Sequence, residues 1–382
     1  MSSRPLWPLF RTLLLIVCAL AVLVACGLAA FFLLYKSPNP TLNPIESAIL
    51  RVDLSRRSQD LNSPAGTDPR PVCFNVNRGD NATTIGANLQ QQGFVKDGDL
   101  FRKYARYYGL DEKLQAGIYS LRKTLTIPEI AQSLTDVGRN TVNFQVIEGK
   151  RIEEIAESID HVNPPLSFTG SDFLTLVGPG AASHSAIAND FTTRAGIPQG
   201  HSLEGFLFPD TYTLPACAQA DELVKRMLDN FDARVTTQMR SDAQAQGLTL
   251  YQAITLASIV EREAVVATER PTIASVYLNR LRLPMTLDAD PTVQYAIGNK
   301  RDPNTWWPQI TSQDYQQVND PYNTYKNQGL PPGPIANPGL SSIQAVLKPQ
   351  TTPYLYFRAS CNGDGTHKFA VTFQEQQANG CS

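Results

Sequence analysis

The longest apolar run of the sequence lies near its amino terminus and predicts a membrane span. No charged residue occurs between Arg11 and Lys36. A transmembrane helix needs about 20 apolar residues, so this run is long enough to cross a bilayer with some tilt. Arg4 and Arg11 precede the run, which predicts a cytoplasmic amino terminus. We therefore expect residues 1–36 to be a cytoplasmic tip and a single-pass anchor in the cell membrane, with residues 37–382 outside the cytoplasm.

Two other interpretations of this segment stay open from the sequence. The first is a cleaved signal peptide, although its apolar core would normally be shorter than this run. The second is a lipoprotein, because Leu23-Val24-Ala25-Cys26 is similar to a lipobox in which Cys26 is acylated. Apolar sequence continues beyond Cys26, which favours a membrane span over lipidation.

The next two segments differ in pattern. Residues 37–71 are rich in turn-forming residues, which predicts a linker that a short helix at 46–54 would interrupt. Residues 72–140 show strand and helix periodicities in turn. The predicted order is a strand at 72–76, helices at 83–92 and 100–108, a strand at 116–121 and a helix from Ile127. This order resembles a LysM-like sugar-binding module, and a plain packing domain is the alternative.

The remaining residues, 141–382, predict a larger domain of mixed α/β structure. Alternation at 142–147 predicts a strand, and the apolar spacing of Ile152, Ile155 and Ile159 predicts an amphipathic helix. We therefore expect an α+β protein with an amino-terminal transmembrane helix, a small α+β module and this larger domain.

One predicted helix of the larger domain has features that suit catalysis. Thr249 and Gln252 have the spacing of a capping box, and residues 253–260 are apolar or small on every side, which predicts a buried helix. At about 100° per residue, Glu263 falls on the bulkiest apolar stripe and Glu261 on another side. Burial beside apolar groups raises the pKa of a carboxyl group, as a general acid at neutral pH requires. A solvated helix end is the alternative.

Polar and aromatic residues also cluster in several loops of this domain. Such side chains are typical of carbohydrate sites, where rings stack on sugar faces and polar groups bind hydroxyls. They are equally typical of tight turns. Asp290 precedes a proline, which is a signal for a helix start. The candidates for positioning a ligand are Glu204, Asp210, Asp290, Thr292, Tyr295, Asn323 and Tyr325.

The charge of the chain and the spacing of its histidines and cysteines argue against two classes of ligand, nucleic acids and metal ions. The formal net charge is −2, and Lys and Arg do not cluster, which argues against a nucleic-acid partner. The four histidines are far apart in the sequence, and no metal-binding spacing of Cys or His occurs, so no metal site is expected.

Cys361 and Cys381 close a short loop in a compartment that permits oxidation, and we expect them to form a disulfide. The pairing of Cys73 with Cys217 stays open.

The chain resembles the endolytic murein transglycosylase family, also called MltG or YceG-like. The motif Leu-Ala-Ser-Ile-Val-Glu-Arg-Glu at 256–263 is one of the segments that carry the resemblance. The others follow in family order at 146–151, 203–212, 287–298, 322–325 with 329–334, and 352–357 followed by 364–369. The resemblance implies that residues 141–382 are a catalytic domain with one catalytic glutamate, which corresponds to Glu263. Glu261 is a second candidate carboxylate.

The family implies cleavage of the β-1,4 bond between N-acetylmuramic acid and N-acetylglucosamine in nascent peptidoglycan strands, as a terminator of glycan elongation. Glu263 would protonate the glycosidic oxygen. The muramoyl C6 hydroxyl would then attack, giving a 1,6-anhydro end, and Glu263 would accept its proton. No cofactor is implied. The expected partners are glycan strands and the cell-wall synthesis machinery.

Two other classes of function stay open from the sequence. One is a muramidase-type hydrolase that uses Glu263 with a second acid such as Asp290. The other is a non-catalytic scaffold that binds peptidoglycan.

Overall fold

The computed structural model describes residues 16, 17, 19–27, 37–136, 141–180 and 189–381. The chain divides into two compact units, residues 1–140 and 141–382. Within the described ranges, no helix has the length and apolar character needed to cross a membrane. Residues 16, 17 and 19–27 of the apolar run are helical, and the rest of the predicted span lies outside the described residues.

The first unit contains a two-stranded antiparallel sheet with helices around it. Phe74 and Tyr119 face each other across the two strands, and both are fully buried. The observed order confirms the predicted strand, two helices and strand. In chain order the elements are α1 (Pro44–Arg56), α2 (Ser58–Leu61), β1 (Val72–Val76), α3 (Ala82–Gln91), α4 (Gly98–Tyr108), β2 (Gly117–Leu121) and α5 (Ile127–Ser133).

The segment that we expected to be a linker, 37–71, contributes to the core of this unit. Asn43 caps α1 by accepting a hydrogen bond from the backbone N–H of Glu46 at 2.8 Å. Leu50, Leu54 and Leu61 from α1 and α2 are buried in the same cluster as Phe74 and Tyr119. The leucines at helical spacing therefore make this segment a pair of helices that pack on the core, although it is rich in turn-forming residues.

The second unit is largely helical and contains two short antiparallel pairs, β3 with β4 and β5 with β6. The structure forms these elements: β3 (Thr141–Gln145), α6 (Ile152–His161), α7 (Gly170–Val177), α8 (Asn189–Ala195), β4 (Thr211–Pro215), α9 (Ala220–Arg234), α10 (Thr237–Ala245), α11 (Leu250–Glu263), α12 (Arg270–Arg282), α13 (Asp290–Ile297), α14 (Asp314–Gln317), α15 (Leu340–Leu347), β5 (Tyr356–Ala359), β6 (His367–Ala370) and α16 (Phe373–Ala378). Short 3₁₀ turns precede α12 and follow α13.

Helix α11 lies in the core of the second unit, between α10, α12, α13 and α15. Its capping box is present, because the backbone N–H of Gln252 donates to the Thr249 hydroxyl at 3.2 Å and Thr249 N–H donates to the Gln252 side chain at 2.9 Å. Nearly every residue from Tyr251 to Val260 is buried, as predicted. Buried Ser258 accepts a hydrogen bond from the N–H of Ile335 at 3.0 Å, which fixes a proline-rich segment against the helix.

The end of the chain forms a small covalently closed substructure. Cys361 and Cys381 form a disulfide with their Cα atoms 5.5 Å apart. The loop between them contains β6 and α16, and α16 contacts both β5 and β6. The closed loop therefore holds the last helix against the β5–β6 hairpin.

Candidate active site

The carboxyl end of α11 places three successive ionisable side chains in different surroundings. Glu261 lies inside a network of hydrogen bonds, Arg262 lies on an aromatic ring, and Glu263 lies beside a buried tyrosine. The predicted separation of Glu261 and Glu263 onto different faces is therefore present.

Glu263 is partly exposed and accepts a hydrogen bond from the Tyr277 hydroxyl at 2.8 Å. Burial is the main reason that the pKa of Glu263 rises to about 7. The hydrogen bond from Tyr277 opposes this rise, the negative charge of Asp290 adds to it, and the positive charge of Arg280 opposes it. The carboxyl group is therefore present in both protonation states near neutral pH.

Helix α12 supplies the two groups that oppose the protonation of Glu263. The ring of Tyr277 is 1% exposed and meets the edge of Phe357 at 5.7 Å. Arg280 is also buried, and its guanidinium donates to the carbonyls of Leu355 at 2.6 Å and Leu287 at 2.9 Å. It also pairs with Asp288 at 2.9 Å. Arg280 thus fixes the loop that leads into α13 and its first residue, Asp290.

Asp290 has a tyrosine partner of its own. The Tyr325 hydroxyl donates to Asp290 at 2.5 Å, and the Tyr325 ring stacks on Tyr315 with centroids 4.0 Å apart. Burial, followed by the bond to Asp290, holds the pKa of Tyr325 far above its usual value. Two carboxyl–tyrosine pairs, Glu263 with Tyr277 and Asp290 with Tyr325, therefore lie within electrostatic reach of each other.

The Glu261 side chain is buried and bound to other parts of the protein. It accepts a hydrogen bond from the Gly339 N–H at 3.0 Å and pairs with Arg270 at 3.3 Å, and its side chain is 6% exposed. Glu148 lies close by, and burial followed by the charge of Glu261 raises the pKa of Glu148. Our sequence reasoning did not select Glu148, although it lies in the segment 146–151 that carries part of the family resemblance.

Three of the predicted ligand-positioning residues are buried inside the protein. Glu204 is 1% exposed, and Thr292 and Asn323 are fully buried. Asn323 donates to the carbonyls of Tyr315 at 3.1 Å and Val318 at 2.8 Å, which fixes the loop around Tyr325. Thr292 lies next to Thr324, with their hydroxyl oxygens 2.9 Å apart. In this structure these side chains shape the loops around the site and do not face the solvent.

Glu204 belongs to a polar hub centred on Asn337. The Asn337 side chain donates to Glu204 at 2.8 Å and to the carbonyl of Lys150 at 3.0 Å. It also accepts from the N–H groups of Gly205 at 2.9 Å and Leu207 at 3.0 Å. Burial, followed by the charge of Glu153, raises the pKa of Glu204 well above its usual value. Glu204 also accepts a hydrogen bond from the backbone N–H of Ile152 at 3.2 Å, so both of its buried oxygens have a donor.

Asp210 and Tyr295 lie in clusters of their own. Asp210 accepts hydrogen bonds from Asn230 at 3.0 Å and Arg234 at 3.1 Å, both on α9. Tyr295 lies 4.0 Å from the guanidinium carbon of Arg151, measured from the ring centroid. The structure therefore brings Asp290 and Tyr325 to Glu263, and it gives Asp210 and Tyr295 other partners.

A cluster of aromatic and basic side chains that sequence reasoning missed surrounds Tyr295. Trp306 donates its indole N–H to Glu157 at 2.8 Å, and Trp307 donates to Glu154 at 2.9 Å. Arg262, the residue before Glu263, lies 3.9 Å above the Trp307 ring. The consecutive tryptophans were the only signal of this cluster in the sequence. Over the described ranges, no group of three or more His, Cys, Asp or Glu residues could hold a metal ion.

The chain is similar to one protein family and to named proteins from two bacteria. The chain matches the model of the YceG-like family over residues 74–380. It is 33% identical over 299 residues to a Bacillus subtilis (strain 168) protein named endolytic murein transglycosylase, covering 77% of this chain and 80% of that protein. A Streptococcus pneumoniae (strain D39) protein of the same name is 30% identical over 301 residues, covering 75% of this chain and 54% of that protein. The chain therefore spans about half the length of the streptococcal relative.

A solved structure has the same fold. The crystal structure of a yceG-like protein from Listeria monocytogenes superimposes with a TM-score of 0.53 at 27% sequence identity. The match covers 82% of this chain and 99% of the listerial chain.

Proposed function

The chain belongs to the YceG-like family, and from that membership we propose that it is a lytic transglycosylase that cleaves the glycan strands of peptidoglycan. The names of its relatives in Bacillus and Streptococcus support this activity. The observation that carries the proposal is the environment of Glu263. It is a carboxyl group with a pKa of about 7, at the end of a buried helix, beside Tyr277 and Asp290.

Glu263 would act first as an acid. Its proton goes to the glycosidic oxygen between N-acetylmuramic acid and N-acetylglucosamine, and the bond from that oxygen to the muramoyl C1 breaks. The C6 hydroxyl oxygen of the same sugar then bonds to C1, and its proton passes to the ionised Glu263. The products are a 1,6-anhydro end and a free N-acetylglucosamine end, water is not consumed, and the acid is regenerated.

The two neighbours of Glu263 support these two roles in opposite ways. The negative charge of Asp290 favours the protonated form that donates, and the hydroxyl of Tyr277 stabilises the ionised form that accepts. A carboxyl group that works as acid and then base is best served by a pKa near the working pH.

A hydrolase is the alternative that a specific contact favours. Asp290 lies close enough to influence the pKa of Glu263, and a second carboxylate is what a muramidase uses to activate water or to attack C1. The hydrogen bond at 2.5 Å from Tyr325 occupies one of its oxygens and favours a fixed electrostatic role instead.

The remaining parts of the chain would place this activity at the wall. We propose that the apolar run at 12–35 anchors the protein in the membrane, with residues 37–382 outside the cytoplasm. The unit that contains β1 and β2 would bind glycan in the manner of a LysM-like module. Such a placement fits an enzyme that terminates nascent strands beside the synthesis machinery.

Mass spectrometry of the products tests the proposal. Full-length protein in detergent should release anhydro-ended fragments from purified peptidoglycan, and Glu263→Gln should release them about 10²–10⁴-fold more slowly. Products heavier by one water would establish the hydrolase instead. A folded wild-type protein that binds peptidoglycan and cuts nothing would establish the scaffold.

A further inference from the structure

In the sequence Arg262 lies between Glu261 and Glu263, but its side chain does not join the hydrogen bonds and ion pairs that these two glutamates form. Its guanidinium carbon is 3.9 Å from the centroid of the Trp307 ring. The nearest acceptor is the backbone carbonyl of Gly149, at 3.5 Å from Nη1. The residue as a whole is exposed, so a ligand can approach it from the solvent.

Arg262 has no acidic partner in the part of the chain that the structure describes. No carboxylate oxygen there lies within 4.0 Å of its guanidinium nitrogens. The nearest acids have other partners, since Glu261 binds Gly339 and Arg270. Glu154 accepts from Trp307 and pairs with Lys150 at 2.9 Å. Burial lowers the pKa of Arg262, and the charges of Glu154 and Glu261, neither of which is at ion-pair distance, oppose this shift without reversing it.

Arg151, in the same aromatic cluster, shows what a structural arginine looks like here. It is 5% exposed, and its guanidinium pairs with Glu153 at 3.0 Å. Its charge is therefore neutralised inside the protein. Arg262 has the aromatic contact without a carboxylate at ion-pair distance, and this difference leaves its guanidinium available to an anion outside the chain.

The platform beneath Arg262 is held rigidly. The indole N–H of Trp307 is fixed by Glu154, and that of Trp306 by Glu157, both on α6. Arg151 lies against Trp306 at 4.9 Å. A guanidinium stacked on a fixed ring presents its N–H groups in one orientation. A planar guanidinium held in this way matches the two oxygens of a carboxylate better than a mobile ammonium group would.

The glycan substrate defines which anion would arrive next to Glu263. In peptidoglycan the sugars are uncharged where the lactyl group of muramic acid is linked to a stem peptide, and the carboxylates are those of the peptide. We propose that Arg262 on Trp307 forms a subsite for a stem-peptide carboxylate on a muramic acid beside the cleaved bond. The enzyme would then prefer peptide-bearing strands. This inference rests on the proposed function.

The test compares substrates that differ in charge. Peptidoglycan strands with acetylated amines are used as such, or after amidation of their carboxylates with methylamine. Wild-type protein should show a KM about tenfold lower for the carboxylate form, the worth of one charge-assisted hydrogen bond. Arg262→Gln should raise that KM about tenfold with little change in kcat, and should treat both forms alike. Arg282→Gln, which removes an exposed arginine at the end of α12, is the matched control and should behave as wild type.

Other outcomes decide against the subsite. Equal KM values of the wild type for both forms, or an unchanged preference in Arg262→Gln, would overturn it. Amidase-stripped strands carry only the lactyl carboxylate, so an equal dependence on Arg262 with them would assign the anion to the sugar. If Arg262→Gln has a lowered melting temperature, Arg262→Lys replaces it. The lysine keeps the charge without the planar fork, and a full wild-type preference in that variant would also refute the subsite.

A binding measurement separates this inference from the proposed reaction. In the Glu263→Gln background no chemistry is needed, and co-sedimentation with the two strand forms reports affinity alone. Binding that depends on both Arg262 and the carboxylates would support the subsite even if the wild type proved not to cleave. Cleavage without that dependence would support the reaction and refute the subsite.

Discussion

Replacing Tyr277 with phenylalanine removes the hydroxyl that donates to Glu263 at 2.8 Å and leaves the buried ring in place. A hydrogen bond to a charged group contributes about 1.5–3 kcal/mol, which corresponds to roughly 1–2 pKa units. Because this bond favours the ionised form, its loss should raise the pKa of Glu263 from about 7 by that amount. The donor role needs the protonated carboxyl group, so the alkaline limb of kcat/KM should move to higher pH by the same interval.

Asp290→Asn is the matched variant, because it removes a charge that acts in the opposite sense. Without the negative charge of Asp290, the pKa of Glu263 should fall, and the alkaline limb should move to lower pH. The assay is the rate of release of anhydro-ended fragments across the neutral and alkaline range, measured for both variants and the wild type. Shifts of both variants in the same direction, or a limb that does not move, would refute the assignment of Glu263 as the titrating acid.

The remaining predictions concern chemistry, stability and topology. Glu263→Gln should reduce the rate by about 10²–10⁴-fold, whereas Glu261→Gln should retain most activity and lower the melting temperature; the reverse ranking would make Glu261 the acid. Asn337→Ala should lower the free energy of unfolding by about 3 kcal/mol, because it leaves buried groups unpaired, and denaturation that matches wild type would contradict this. Non-reducing peptide mapping should recover Cys361 joined to Cys381, and a free Cys361 thiol would contradict it. An impermeant reagent should label an exposed cysteine introduced into the second unit on intact cells, and labelling only after lysis would refute the topology.

The sequence predicted α11 well because its signals are local. The capping box of Thr249 and Gln252 and the apolar residues between that start and Val260 are readable from neighbouring positions. The helix period then puts Glu261 and Glu263 on different faces, because a step of two residues turns the helix by about 200°.

The loop residues could not be assigned in this way, because their orientation depends on distant partners. Glu204 is buried through its bond to Asn337, which lies 133 residues away, and Trp307 is fixed by Glu154 at a separation of 153 residues. No local pattern reports such contacts. From the sequence, polar residues in the loop motifs were therefore predicted to bind a ligand, whereas in the structure several of them hold the loops together.

The hub at Asn337 also bears on when the segment around Glu204 can become ordered. One amide group joins backbone and side-chain groups at Lys150, Glu204, Gly205 and Leu207, all far upstream of it in the chain. Contacts between such distant positions close late, because the intervening chain must first be brought together. A chain that emerges from its amino terminus therefore carries Glu263 well before Asn337 arrives to frame the segment around Glu204. A partly synthesised copy has Glu263 without the organised segment around Glu204, so the proposed activity would require synthesis to have passed Asn337.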